Sequence, residues 1–337
     1  MITKRPRETR VGHTWTTRRG VLAGAVAVAA GALAGCSGDT SPGGEADVVR
    51  VDLNRKQAAA SRALRDRYDA TIARHPGLRS RLAPLRASVV AHAAALDPKP
   101  EPSPSPSPAA VRAAVPPDEP GALRALAQAE RETAALRTGL LRLAEPEQAR
   151  LYASLAAAGT THAYLLREVP GTAERAGSGD PAGPAGRAGA GGGRKRDRAT
   201  AAVRAALAAE HAAVYGYGVV GARAGKARAA QAREGYAAHR ARRDALARTA
   251  RDLGDEPVAA APAYDLPFPV PDGAAAVRLA AYLEDRVAGV YSDLVRAADG
   301  PLRQEAAASL REAAVRSVRW RGSGVAFPGL AERAGGR

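Results

Sequence analysis

Apolar residues recur at spacings of three and four along most of the chain, in alanine-rich stretches with no sustained alternation. That period is the stripe of an amphipathic helix, so the chain reads as all-α. Clusters of Pro, Gly and Ser cut the pattern into segments. Helices are expected near 47–74 and 77–96, joined by the tight turn His75-Pro76-Gly77, and near 121–144 and 146–168 after a long Pro-Ser stretch. A second set is expected near 199–224 and 226–253, around Gly225, and near 274–299 and 301–321 after the stretch Gly254 to Gly273.

Short, long and short connections thus occur twice. A short connection makes neighbouring helices antiparallel, whereas a 20-residue extended connection reaches roughly 60 Å and can return along a helix of ~30 Å. The expected architecture is two tandem four-helix bundles, residues 47–169 and 199–330. The second is expected to be ferritin-like, with the long crossover between its second and third helices. Residues 36–46 read as a tether and 170–198, rich in Gly, Pro and Ala, as a flexible linker.

Polar residues that fall on the apolar stripes are the candidates for chemistry. Val203, Leu207, Glu210, Val214 and Tyr217 share one face; Val277, Ala280, Glu284, Val287 and Tyr291 share another. Tyr236, His239, Arg243, Leu246 and Leu253 form a third. Glu210, His239 and Glu284 are therefore expected to converge, either as a buried polar network with Tyr217, Arg243 and Tyr291 or as ligands of iron or manganese, backed by Tyr236 or Tyr217. A dinuclear ferritin-type site needs a Glu three residues before each ligating His. Tyr236 stands there before His239, so a full six-ligand set is absent. In the first bundle His92 and His162 lie on leucine stripes and are expected to be hydrogen-bonded core residues. Val89 and Gly159 precede them by three; Leu126, Leu136, Leu140 and Leu143 are expected to face inward, with Glu130 off that stripe.

The N-terminal 35 residues have another character. Arg18 and Arg19 ahead of Val21 and Leu22 resemble a twin-arginine export signal, and Leu33-Ala34-Gly35-Cys36 resembles a lipobox, in which the cysteine is lipidated. The apolar run between them is short of the ~20 residues that span a bilayer. Cys36 is the single cysteine of the chain, which excludes a disulfide framework and cysteine catalysis. Lys4, Arg5, Arg7, Arg10, Arg18 and Arg19 against Glu8 place +5 in this leader, so +11 of the total of +16 belongs to the mature chain. The arginines are scattered among alanines without aromatic platforms, and Arg194-Lys195-Arg196 is the one tight cluster, so nucleic acid is not an expected partner.

Glu210-His211, Tyr215, His239-Arg240, Trp320-Arg321 and Ala326-Phe327-Pro328-Gly329 together resemble a ferritin-like domain of uncharacterised function found in actinobacterial proteins, over residues 199–330. The resemblance implies a four-helix fold and marks Glu210, His211, His239 and Glu284 as positions to examine; it carries no established activity. The expectation is a lipid-anchored protein at the extracytoplasmic face of the cell membrane. It would act as a binding or structural module, with the membrane as partner through Cys36 and a homodimer or another envelope protein as further candidates. The alternative is a ferritin-like metalloprotein that handles or oxidises iron or manganese.

Overall fold

Eight α-helices and three short 3-10 turns make up the computed structural model, which describes residues 42–97, 99, 114–167 and 193–333 and holds no strand among them. In chain order the helices are α1 (Pro42–Arg74), α2 (Arg79–Leu96), α3 (Glu119–Leu140), α4 (Pro146–Arg167), α5 (Gly193–Arg223), α6 (Ala229–Asp252), α7 (Gly273–Ala297) and α8 (Gly300–Arg321). The all-α expectation and the two sets of four helices hold. Arg18, Arg19 and Cys36 lie outside the described residues.

Local chemistry explains the boundaries. Asp118 and Asp272 cap α3 and α7, each accepting from the backbone N–H three residues on at 2.7 Å. Gly322 ends α8 in the left-handed conformation, with φ of 78°. The largest departure from the expected boundaries is α5, which begins inside the segment read as linker. Five good helix-forming or polar residues, Arg194 to Arg198, extend it, and Arg196 donates to the Leu253 carbonyl at the end of α6.

Residues Gly43–Arg337 form one compact unit. The α3–α4, α5–α6, α5–α7 and α7–α8 pairs pack within the two sets, and α4 also packs against α7 and α8. One apolar core accordingly runs from Tyr152 and Leu155 on α4 to Leu207, Tyr291 and Leu310. Polar groups stitch the same seam. Buried Arg303 donates to the carbonyls of Leu141 and Ala144 at 3.0 and 2.8 Å, taking up acceptors at the end of α3. Arg150 reaches Ser292 and Glu332, and His92 on α2 donates from Nε2 to the Ala326 carbonyl at 2.6 Å, with Phe327 edge-on to its ring.

Candidate functional site

In the second bundle α5, α6 and α7 each deliver one fully buried ionisable side chain to the same point. His239 lies between two carboxylates: Nδ1 is 2.7 Å from Glu210 Oε2 and Nε2 is 3.2 Å from Glu284 Oε1. With Glu210 and Glu284 ionised, each can only accept, and in that state both ring nitrogens carry hydrogen and His239 is an imidazolium. Burial opposes that charge, but the hydrogen bonds to Glu210 and Glu284 and the charges of both outweigh it, raising the pKa from 6.5 to about 9.

Each carboxylate has further donors. Tyr291 gives its hydroxyl to Glu210 Oε1 at 2.7 Å. Tyr217 gives its own to Glu284 Oε1 at 2.5 Å and accepts from Trp320 Nε1 at 2.9 Å. Arg316 on α8 donates from Nε to the same Glu284 oxygen at 2.9 Å. Burial would push the Glu284 pKa up, yet the Arg316 charge, with His239 and Tyr217, holds it below the ordinary carboxyl value. Both tyrosines are pushed well above theirs, by burial first and then by the neighbouring carboxylate. Two negative and two positive side chains thus balance within the bundle interior.

The packing that permits this depends on Gly235. A Cβ there would lie 2.2 Å from Cε1 of Tyr217, so the bare backbone of α6 gives the tyrosine ring its place. The inward stripe of α6 is therefore Ala232, Gly235, His239, Leu246 and Ala250. Two sequence expectations fail on this account. Tyr236 is 36% exposed and stacks under Arg240. Arg243 is outside the buried network and pairs with Asp244 beside it at 2.7 Å. Arg316 takes the role expected of Arg243. His211 reaches outward to the Val258 carbonyl at 3.1 Å.

The donor set does not fit an iron or manganese centre. The two carboxylates sit at opposite nitrogens of one imidazole, both of those nitrogens bear hydrogen, and a guanidinium occupies the remaining approach to Glu284 Oε1. Glu284 Oε2, buried and without a hydrogen-bond partner, is the one free acceptor of the network. Among the described residues no three His, Cys, Asp or Glu side chains are grouped to hold a metal ion.

The first bundle holds a different network. Glu130 is buried, not off the stripe, and its Oε1 accepts from Tyr68 at 2.8 Å and from His162 Nδ1 at 3.0 Å. Gly159 leaves the room: a Cβ there would lie 3.3 Å from Glu130 Oε2. His92 stacks on His162 with ring centroids 5.9 Å apart. Burial, followed by the charges of His162 and Arg137, lowers the His92 pKa well below its ordinary value. Arg137, buried beside them, donates to Ser61 Oγ at 2.6 Å, and burial brings its pKa down to about 10 despite Glu130. The expected inward leucines also fail in part, since Leu136 and Leu143 are 63% and 81% exposed. The real α3 stripe, Leu123, Leu126, Glu130, Ala134, Arg137, keeps helical spacing with two charged members that disguise it.

Eight helices with a charge-balanced Glu-His-Glu bridge inside the last four define a helical-bundle protein of buried-network type. Residues 202–332 match the family described as a domain of unknown function (DUF4439). A solved structure, that of a conserved hypothetical protein, rv2844, from Mycobacterium tuberculosis, is 34% identical, covering 37% of this chain and 96% of that one, with a TM-score of 0.37. No curated protein matches the chain.

Proposed function

We propose that this protein is a lipoprotein of the cell envelope, anchored through Cys36, whose ferritin-like second bundle and accompanying first bundle serve as a rigid binding or structural module. The observation that carries this reading is the closure of the central network on itself: Glu210, His239, Glu284 and Arg316 neutralise one another. A buried network of this kind fixes helix register, and apart from Glu284 Oε2 its donors and acceptors are engaged inside the bundle.

Iron or manganese handling is the second reading, favoured by the orphaned Glu284 Oε2 alone; it would require Arg316 to withdraw and His239 to lose a proton. Elemental analysis of the protein purified without chelator separates the two. Less than a tenth of an equivalent of iron, manganese or zinc is expected, and a stoichiometric metal lost in Glu284→Gln would overturn the scaffold reading. Membrane fractionation of Cys36→Ser tests the anchor, with release into the soluble fraction expected.

A further inference from the structure

We infer that the end of the molecule where α1 begins is a contact surface for an anionic lipid bilayer, with exposed apolar side chains beside a basic cleft. The inference rests on the lipid anchor proposed above. Five residues separate Cys36 from Pro42, the first residue of α1, and five residues reach at most about 18 Å. An anchor that short keeps the start of α1 near the headgroups.

The start of α1 shares its end of the bundles with several helix ends. Gln148, in the first turn of α4, donates to the Arg50 carbonyl and to Asn54. Arg296, at the end of α7, pairs with Glu147 at 3.3 Å. Arg303, in the first turn of α8, holds the end of α3. The seam between them opens into a cleft of about 290 Å³ lined by Arg142, Lys195, Arg198 and Arg296, with Glu145 and Asp299 as its acids. Lys195 pairs with Asp299 at 3.6 Å. Among the described residues Arg142 and Arg198 have no carboxylate partner. The Arg194-Lys195-Arg196 cluster of the sequence thus stands at this end, on the first turn of α5.

Apolar exposure coincides with the charge. Leu143, next to Arg142 and on the cleft rim, is 81% exposed, and Val49 on α1 is 66% exposed. Two cations without a carboxylate partner among the described residues, Arg142 and Arg198, the latter donating to the Arg194 carbonyl, combined with protruding aliphatic side chains suit an interface of phosphate headgroups over acyl chains. A purely polar partner would leave Leu143 in water.

The test uses residues 37–337, which retain the whole compact unit and carry neither leader nor lipid, so the outcome is independent of Cys36 acylation. Co-sedimentation is measured with vesicles of phosphatidylcholine containing about one third phosphatidylglycerol, and with phosphatidylcholine alone, at about 0.1 M salt. Binding is expected only to the anionic vesicles. Arg142→Glu with Arg198→Glu should weaken it at least about tenfold, since each cation near an anionic surface contributes roughly fivefold. Arg233→Glu with Arg240→Glu, an equal charge change on the outer face of α6, should leave it within about twofold, and Leu143→Ser should weaken it a few-fold. Equal losses in the two double variants would reduce the effect to net charge and overturn the inference. So would equal binding to neutral vesicles, or vesicle-free self-association abolished by Leu143→Ser, which would assign the face to a second copy.

Discussion

The two bundles bury histidines under opposite electrostatic rules. His239 is held charged between two carboxylates with Arg316 close by, whereas His92 is held neutral, facing a backbone carbonyl and another imidazole. Each solution follows from what the neighbouring helices supply. The second bundle brings in two glutamates from α5 and α7, so desolvation of the imidazolium is offset by two partners. Among its described residues the first has one buried glutamate, Glu130, engaged by Tyr68 and His162, and no second buried carboxylate compensates a charge on His92. A buried histidine at the same kind of position can therefore lock a bundle by charge or by shape.

The sharpest way to break this contrast is to remove one carboxylate from each side. Glu284→Ala leaves His239 and Arg316 facing each other without their shared partner and should cost about 3–5 kcal/mol in chemical denaturation. Glu130→Ala in the first bundle removes the hydrogen bonds from Tyr68 and His162 and a charge that supports Arg137 without contacting it as an ion pair, and should cost about 1–3 kcal/mol. Equal losses would mean that the two networks hold their helices in the same way.

Stability against pH sharpens it further, because the two histidines act with opposite sign. The folded pKa of His239 is raised, so its contribution is fully present below pH 6.5 and is lost as pH rises through about 9. The folded pKa of His92 is depressed, so its contribution is present above pH 6.5 and is lost as pH falls below that value. Melting curves should lose a few kcal/mol on the alkaline side, a limb flattened by His239→Gln; His92→Gln should flatten the acid limb instead. If both substitutions flatten one limb, the electrostatic contrast is wrong.

Glycine substitutions probe the space around each network. Gly235→Ala drives a methyl group into the Tyr217 ring and should destabilise by about 1–3 kcal/mol. Gly159→Ala meets Glu130 at 3.2–3.3 Å, a tight but relievable contact, and part of its cost is offset by about 0.5–1 kcal/mol of helix propensity. Arg243→Ala, outside both networks, should stay within about 0.5 kcal/mol of the parent.

The central triad was legible because its members interrupt apolar stripes that are otherwise regular. Glu210 and Glu284 stand among Val, Leu and Ala at helical spacing, and a carboxylate in that position has to find a buried partner. Other parts were hidden for physical reasons. Gly235 has no side chain, so nothing in the pattern announces that it faces inward, and the eye passes to Tyr236 and from there to Arg243. Glu130 and Arg137 lie on the true stripe of α3, but charged residues register as outward, while Leu136 and Leu143, which are exposed, register as core. The signal that could have found them is the spacing 123, 126, 130, 134, 137, 141, read without regard to charge. The docking of Ala326 and Phe327 against His92 joins positions more than two hundred residues apart, and helical periodicity carries no information about such pairings.

The central claim is that His239 is a doubly hydrogen-bonded imidazolium locked between Glu210 and Glu284. It is tested most directly by 15N NMR of the histidine side chains across pH. The account predicts that both ring nitrogens of His239 are protonated at pH 7 and that the ring titrates near pH 9. A neutral ring at pH 7, with one nitrogen lacking hydrogen and free to ligate a metal, would contradict it.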